Sequence, residues 1–120
     1  MATQTKPNRT EAIARLNDRA RQGLDRNARV VTTRSCLAAF CDLDNFPAMM
    51  LMQAALLRAV RHCTFAETRP ERDFAAIPFR DRTIWLTIGY YDAELVNGSE
   101  DPADASKTTR VLTIMLPEDY

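Results

Sequence analysis

One histidine and three cysteines are the residues of this 120-residue chain most able to bind a metal or act as nucleophiles. Zinc prefers the ligand types found at Cys36, Cys41, His62 and Cys63. The spacing matches no zinc finger, because the adjacent His62 and Cys63 would point about 100° apart on a helix. A Cys–His nucleophilic pair would need a third, orienting group, and nothing in the local sequence supplies one. The pattern therefore favours core cysteines and a histidine at a helix end.

A second group of candidate residues is acidic and lies between residues 92 and 104. The group contains no basic residue, and its acidic members are Asp92, Glu94, Glu100, Asp101 and Asp104. Carboxylates bind hard cations, but these lack the fixed spacing of a calcium-binding loop. Asn97-Gly98 and Asp101-Pro102 are turn signals. A solvated loop is the first interpretation, docking of a basic partner the second and metal binding the last.

Composition and missing motifs argue against most enzyme classes. The chain has no GxGxxG, Walker, GxSxG or HExxH motif, and its 3 glycines leave little material for a phosphate-binding loop. Its 46% hydrophobic and 27% charged residues are typical of a globular protein. The longest apolar stretch, residues 46–60, is shorter than the about 20 residues of a membrane span. The odd cysteine count and polar N-terminus predict reduced thiols and a cytoplasmic location.

Hydrophobic periodicity predicts two main helices. Thr10 is expected to cap the first, which places Asp18 and Arg21 on its solvent face and ends near Gly23. The second is expected over residues 46–63, after the cap Asn45. Its apolar face consists of Met49, Met52, Leu56, Val60 and Cys63. A helical turn is an option at residues 35–40. Residues 1–9 are expected to be a disordered tail, and residues 10–120 a single domain.

Four strands complete the predicted fold. They are expected at residues 28–33, 73–79, 83–90 and 108–116, and the middle two form a hairpin joined at residues 80–82. The order of elements predicts an α+β two-layer sandwich, in which a mostly antiparallel sheet of about four strands carries two helices on one face. Trp85, Val111 and Met115 then lie on the other face as an exposed apolar patch. Such a patch marks an interaction site, and a homodimer through it is the plainest version.

Several sequence strings resemble a family of small bacterial proteins whose function is unknown. They are Asp73-Phe74, Tyr90-Tyr91-Asp92, Gly98-Ser99, Asp101-Pro102-Ala103-Asp104, Arg110 to Leu116 and Tyr120, with Leu16-Asn17-Asp18 and Arg29-Val30-Val31 in the N-terminal part. The resemblance covers residues 11–120. It implies no reaction, cofactor or catalytic residue, and it implies an accessory gene of bacteria and their plasmids.

The chain also departs from that family pattern. Arg72 stands where a histidine is usual, and Thr87 and Gly89 stand where a lysine and an acid are usual. If those polar residues form a family site, this chain has lost it.

These features favour a small non-enzymatic protein that docks on a larger protein or nucleoprotein complex and inhibits it. Mobile elements carry such accessory inhibitors against host defence, for example anti-CRISPR proteins that act on a CRISPR effector. The acidic loop would imitate phosphates in an arginine-lined channel. The expected partner-binding residues are Asp92, Glu94, Glu100, Asp101, Asp104, Trp85 and Tyr91.

No catalytic residue, cofactor, metal or membrane contact is part of this expectation. Two alternatives are kept below it. One is a metal-dependent or hydrolytic enzyme built on Asp73, Tyr91, Asp92 and His62. The other is direct DNA binding through the first helix and its arginines, because arginine suits contact with polyanions.

Overall fold

The structure is a computed structural model that describes residues 8–120. Within that range the helices are α1 (Arg9–Arg21), α2 (Arg34–Ala38) and α3 (Phe46–Arg61). The strands are β1 (Arg29–Thr32), β2 (Phe74–Phe79), β3 (Arg82–Tyr91) and β4 (Thr109–Met115). Residues 1–7, most of the expected tail, lie outside the described residues.

The four strands form one sheet in the order β1-β4-β3-β2. β2 pairs antiparallel with β3, as the hairpin pattern predicts. β4 also pairs antiparallel with β3, whereas β1 pairs parallel with β4. The predicted α+β class is confirmed, and the sheet is mixed. The chain leaves β1 through α2 and α3 before it returns as β2. A short hairpin loop forces two strands to run antiparallel, whereas a long connection of this kind leaves β1 free to pair in parallel.

One apolar core lies between the helices and the sheet. α3 contributes Met52, Leu56 and Val60, three of the five residues on its predicted apolar face, whereas Met49 and Cys63 are half-buried. Their partners on the two central strands include Ile84, Leu86, Ile88, Leu112 and Ile114. Because strand side chains alternate between faces, these residues define the covered face of the sheet.

Local capping explains where the helices begin and end. α1 begins at Arg9, earlier than expected, because the side chain of Asn8 accepts a hydrogen bond from the Glu11 amide at 2.7 Å. It ends before Gly23, whose φ of 80° suits a residue without a Cβ. α3 begins after the cap Asn45, as predicted, and ends at Arg61. Thr33 caps α2, so residues 8–120 contain three α-helices rather than the two main helices that were predicted.

α1 packs on β4 through a buried polar contact that its sequence pattern did not reveal. Asn17 has no exposed surface, and Arg110 on β4 is 1% exposed. The Arg110 Nε donates to Asn17 Oδ1 at 2.7 Å. The Asn17 amide donates to the Tyr90 hydroxyl at 2.8 Å and to the Glu71 carbonyl at 2.9 Å. This polar cluster, Asn17–Tyr90–Arg110, joins α1 to both central strands and to the segment before β2.

Asp18, expected on the solvent face of α1, instead faces two arginines. Arg72 Nε and Nη2 donate to its two carboxylate oxygens at 3.0 and 2.7 Å, and Arg21 Nη2 donates at 3.1 Å. Arg21 Nη1 also donates to the Arg61 carbonyl at 2.7 Å, which ties α1 to the end of α3. The sequence pattern missed this because the partners are up to 54 residues away.

Acid should weaken this fold partly through Asp18. Burial raises the pKa of Asp18, but hydrogen bonds from Arg72 and Arg21 outweigh that effect, and the pKa falls below its usual 3.8. A carboxyl whose pKa is lowered by folding stabilises the fold above its unfolded pKa, and this contribution disappears as the pH falls through the folded value. We therefore expect the free energy of unfolding to decrease as the pH falls below the usual carboxyl pKa of 3.8, and to decrease less in Asp18→Asn.

Urea denaturation at each pH, followed by tryptophan fluorescence, measures the free energy of unfolding of both proteins. Asp18→Asn should be less stable than the unmodified chain at pH 7, because its amide cannot replace the charge. An equally steep acid loss in the variant and the parent would contradict the assignment.

Candidate partner-binding face

The face of the sheet opposite α1, α2 and α3 carries the first part of the candidate site. It is called the open face here. One of the two central strands, β3, presents Trp85, Thr87, Gly89 and Tyr91 on this face, and they alternate with its core residues. β2 adds Phe74, which pairs with Thr87. Two of the residues expected to bind a partner, Trp85 and Tyr91, therefore lie on one surface.

The Tyr91 ring lies across Gly89 on this face. A Cβ atom added at Gly89 would lie 2.8 Å from Tyr91 Cε2, so the absence of a side chain makes room for the ring. Tyr91 remains 39% exposed in this position. The glycine thus allows an accessible aromatic ring to lie against the sheet.

A groove of about 460 Å³ opens beside these residues. Thr87 and Gly89 line it together with three aromatic residues, and Arg69 and Asp73 add charged groups to its walls. The rings of Phe74 and Trp85 meet edge to face at 5.0 Å, and those of Trp85 and Tyr120 meet at 5.7 Å. Grooves with aromatic walls are typical sites for protein or small-molecule contact.

The predicted apolar patch is smaller than expected at one end. Trp85, Val111 and Met115 share the open face, as their alternation indicates. Met115 is only 8% exposed, however, and Trp85 and Val111 are half-buried. The chain after β4 folds back against β3, where Tyr120 contacts Trp85, and this covers the end of the patch.

The acidic loop, residues 92–104, forms the second part of the site. It is anchored at the end of β3, where the Ser99 amide donates to the Tyr90 carbonyl at 3.0 Å and Tyr91 bridges to Gly98. The loop therefore begins directly beside Tyr91 on the open face.

Three of its five carboxylates also shape the loop. Asp92 Oδ1 accepts from the Val96 amide at 3.0 Å, and this bond lowers the pKa of Asp92. Asp104 accepts from the Ser106 hydroxyl and amide, which lower its pKa as well. Asp101 accepts from the Ala103 amide and pairs with Arg9. These carboxylates are thus held in fixed positions, and Asp92 and Asp104 stay ionised to lower pH than usual.

The other two carboxylates, Glu94 and Glu100, are exposed to solvent. Neither forms an ion pair with a described residue. Among the described residues, the loop therefore presents both hydrogen-bonded and unpaired carboxylates beside the open face.

A family profile described as "Protein of unknown function (DUF3768)" matches residues 42–119. The chain belongs to this family. The match confirms the resemblance to a family of unknown function, and it spans α3, the hairpin, the acidic loop and β4. Both parts of the candidate site therefore lie within the DUF3768 segment, whereas α1 and β1 precede it. No curated protein and no solved structure matches the chain.

Arg72, Thr87 and Gly89, the positions at which this DUF3768 chain departs from the family pattern described above, do not form one site. Thr87 and Gly89 line the groove of the open face. Arg72 instead adopts a positive φ of 56° and pairs with Asp18 on the helical layer. The polar residues usual at these positions would therefore stand on two different surfaces in this fold.

The candidate metal and nucleophile residues lie elsewhere. His62 ends α3 and lines a shallow cleft with Cys63 and Ile77, whereas Asp73 borders the groove of the open face. Within residues 8–120, no three His, Cys, Asp or Glu side chains converge in a geometry that could hold a metal ion. No helix in that part of the chain is long and apolar enough to span a bilayer.

Cysteine reactivity should follow burial in this protein. Cys36 has no exposed surface, and burial raises the pKa of its thiol to about 11. Cys41 and Cys63 are half-buried. Because the thiolate is the reactive form, iodoacetamide should modify native Cys36 at least about tenfold more slowly than Cys41. Peptide mass spectrometry after timed labelling measures both rates, with the urea-unfolded chain as the control. Equal native rates would show that Cys36 is accessible.

Proposed function

We propose that this DUF3768 protein is a small non-enzymatic binding protein that docks on a larger protein or nucleoprotein complex and inhibits it. The docking surface consists of the open face and the acidic loop. The observation that carries the proposal is their continuity, since the loop leaves β3 directly beside Tyr91. Aromatic anchors bordered by charged residues are the arrangement that protein interfaces use for affinity and specificity.

The fixed carboxylates favour a basic partner. Groups already held in their bound positions lose less entropy on association. A carboxylate has about four acceptor sites, so Asp92 and Asp104 can accept further hydrogen bonds while they hold the loop. Arginine and lysine side chains that bind nucleic-acid phosphates would be attracted to such a loop. Occupation of that basic surface would exclude the nucleic acid, which is how the protein would inhibit its target.

Within this class, the proposal favours an accessory inhibitor of bacterial defence, of the anti-CRISPR kind. The small mass of 13.6 kDa and the acidic loop support this choice, because a small acidic protein can compete with nucleic acid for a basic surface. Such a target also places the protein in the cytoplasm, where its cysteines stay reduced.

Neutralisation of the loop tests the proposal without loss of the loop geometry. The variant carries Asp92→Asn, Glu94→Gln, Glu100→Gln and Asp104→Asn, because asparagine keeps the side-chain oxygen that accepts the loop amides. Asp101 is left intact because it pairs with Arg9. A matched control removes the same charge from four exposed acids elsewhere, by Asp42→Asn, Asp44→Asn, Glu67→Gln and Asp81→Asn.

Each protein is immobilised, exposed to a bacterial lysate and washed, and the captured proteins are quantified by mass spectrometry. A basic nucleic-acid-binding protein should be captured by the parent and the control, and about tenfold less by the loop variant. Added DNA should release it. Equal capture by the loop variant would remove the acidic loop from the account. A shift of DNA by the chain alone at low salt would favour the DNA-binding alternative instead.

A further inference from the structure

We propose that the groove of the open face is a seat for an arginine side chain of the partner, and that Arg69 occupies part of this seat until the partner displaces it. The inference deepens the proposed function and rests on it only for the basic character of the partner.

The walls of the groove suit a planar cation. Aromatic rings carry negative charge on their faces, so guanidinium groups stack on them favourably. Phe74, Trp85 and Tyr120 provide such rings around a volume of about 460 Å³. Asp73 adds a carboxylate at the same groove.

Arg69 shows that this chemistry operates within the chain itself. Its guanidinium carbon lies 4.9 Å from the centroid of the Phe74 ring. Its Nη1 atom lies 3.8 Å from Asp73 Oδ1, which is an ion pair but too long for a hydrogen bond. The Arg69 side chain is also 50% exposed. Arg69 therefore occupies the groove loosely.

A partner arginine could bind more tightly than Arg69 does. Among the described residues, Asp73 accepts no side-chain hydrogen bond, and its one ion pair is the long contact with Arg69. An incoming guanidinium could form a bidentate pair with this carboxylate at hydrogen-bond distance. Exchange of one guanidinium for another leaves the charge of the groove unchanged. Lysine would fit less well, because its ammonium lacks the planar surface that stacks on rings.

Trp85 is the single tryptophan of the chain and lies in the groove, so its fluorescence reports directly on the seat. The full chain is titrated with a capped pentapeptide that has one arginine between glycines. Matched peptides carry lysine or citrulline, and citrulline keeps the shape of arginine without its charge. The arginine peptide should change the fluorescence saturably and bind at least about fivefold more tightly than the citrulline peptide. The proposal would be overturned if the arginine and citrulline peptides gave the same response, or if neither changed the fluorescence.

Two substitutions test the residues of the seat. Asp73→Asn should weaken binding of the arginine peptide about tenfold, because it removes the negative charge that pairs with the guanidinium. Arg69→Gln should strengthen binding, because it removes the internal competitor. Arg82→Gln removes an equal charge from an exposed ion pair with Glu118 and serves as the control. If Arg82→Gln strengthens binding as much as Arg69→Gln, the change in the net charge of the protein explains the effect. The claim that the peptide displaces Arg69 from the groove is then wrong. Circular dichroism and urea denaturation establish that each variant is folded.

The outcomes separate this inference from the proposed function. If the lysate partner is captured in a loop-dependent way but arginine peptides leave Trp85 unchanged, the seat is wrong and the proposed function stands. If the peptides bind as expected but no captured protein depends on the acidic loop, the seat stands and the proposed function is wrong.

Discussion

Replacement of Asn17 by alanine should lower the free energy of unfolding by about 3 kcal/mol. Asn17 is fully buried and makes three hydrogen bonds, to Arg110, Tyr90 and the Glu71 carbonyl. Alanine makes none of these, and a buried donor without a partner pays its full desolvation cost. The loss at Arg110 should dominate because its guanidinium is charged, although Arg110 keeps its bond to the Pro102 carbonyl and its position over the Tyr90 ring.

Urea denaturation followed by the fluorescence of Trp85 measures this change. Arg15→Ala is the matched control, since Arg15 is an exposed residue of the same helix paired with Glu11. An exposed pair contributes little, so the control should change stability by no more than about 0.5 kcal/mol. A loss below about 1 kcal/mol in Asn17→Ala would mean that water or a rearranged side chain replaces the amide, against the account of the polar cluster given above.

Substitution of Tyr91 by alanine should weaken binding of the captured partner about 30-fold, the effect of losing one interface hot spot of about 2 kcal/mol. Tyr91 is the most accessible aromatic ring on β3, and it lies between the groove and the acidic loop. Because the ring is 39% exposed, its removal should cost the fold itself less than about 1 kcal/mol.

Phe46→Ala is the control for this substitution. Phe46 is an aromatic residue 64% exposed at the start of α3, on the helical layer. Affinity is measured by calorimetry with the isolated partner. Binding should be unchanged in Phe46→Ala. If Phe46→Ala weakens binding and Tyr91→Ala does not, the exposed apolar side of α3 is the docking surface and the open face is not.

Local sequence patterns were sufficient for the elements whose burial repeats along the chain. In α3, apolar residues at helical spacing predicted the burial of Met52, Leu56 and Val60, and Asn45 marked its start. In β3, alternation predicted which residues face the core and which face away. These patterns work because the position of a residue in the local repeat determines whether it faces the core, whatever its distant partners are.

Tertiary partners decided the features that the sequence did not reveal. Asn17 and Asp18 look like solvent-facing helix residues until Arg110 and Arg72 are placed beside them by strands and loops far along the chain. The parallel pairing of β1 has no local signal, because strand neighbours are set by the connection through α2 and α3.

The candidate site was predicted in the same partial way. The alternation of β3 predicted the face of Trp85, and turn signals predicted the acidic loop, but Tyr91 was expected in that loop and instead ends β3. Sequence spacing could not show that Gly89 makes room for the Tyr91 ring, that Tyr120 returns to Trp85, or that Arg69 stacks on Phe74. Those contacts depend on how the chain packs across the sheet.

The footprint of the bound partner tests most directly the claim that this protein acts by occupying another macromolecule through its open face and acidic loop. Amide hydrogen exchange of the free chain and of the complex measures that footprint peptide by peptide. The account predicts slower exchange in peptides that cover β3 and residues 92–104, with α3 unchanged. Protection confined to α3 or to the edge strand β1, with the acidic loop exchanging as in the free chain, would contradict it.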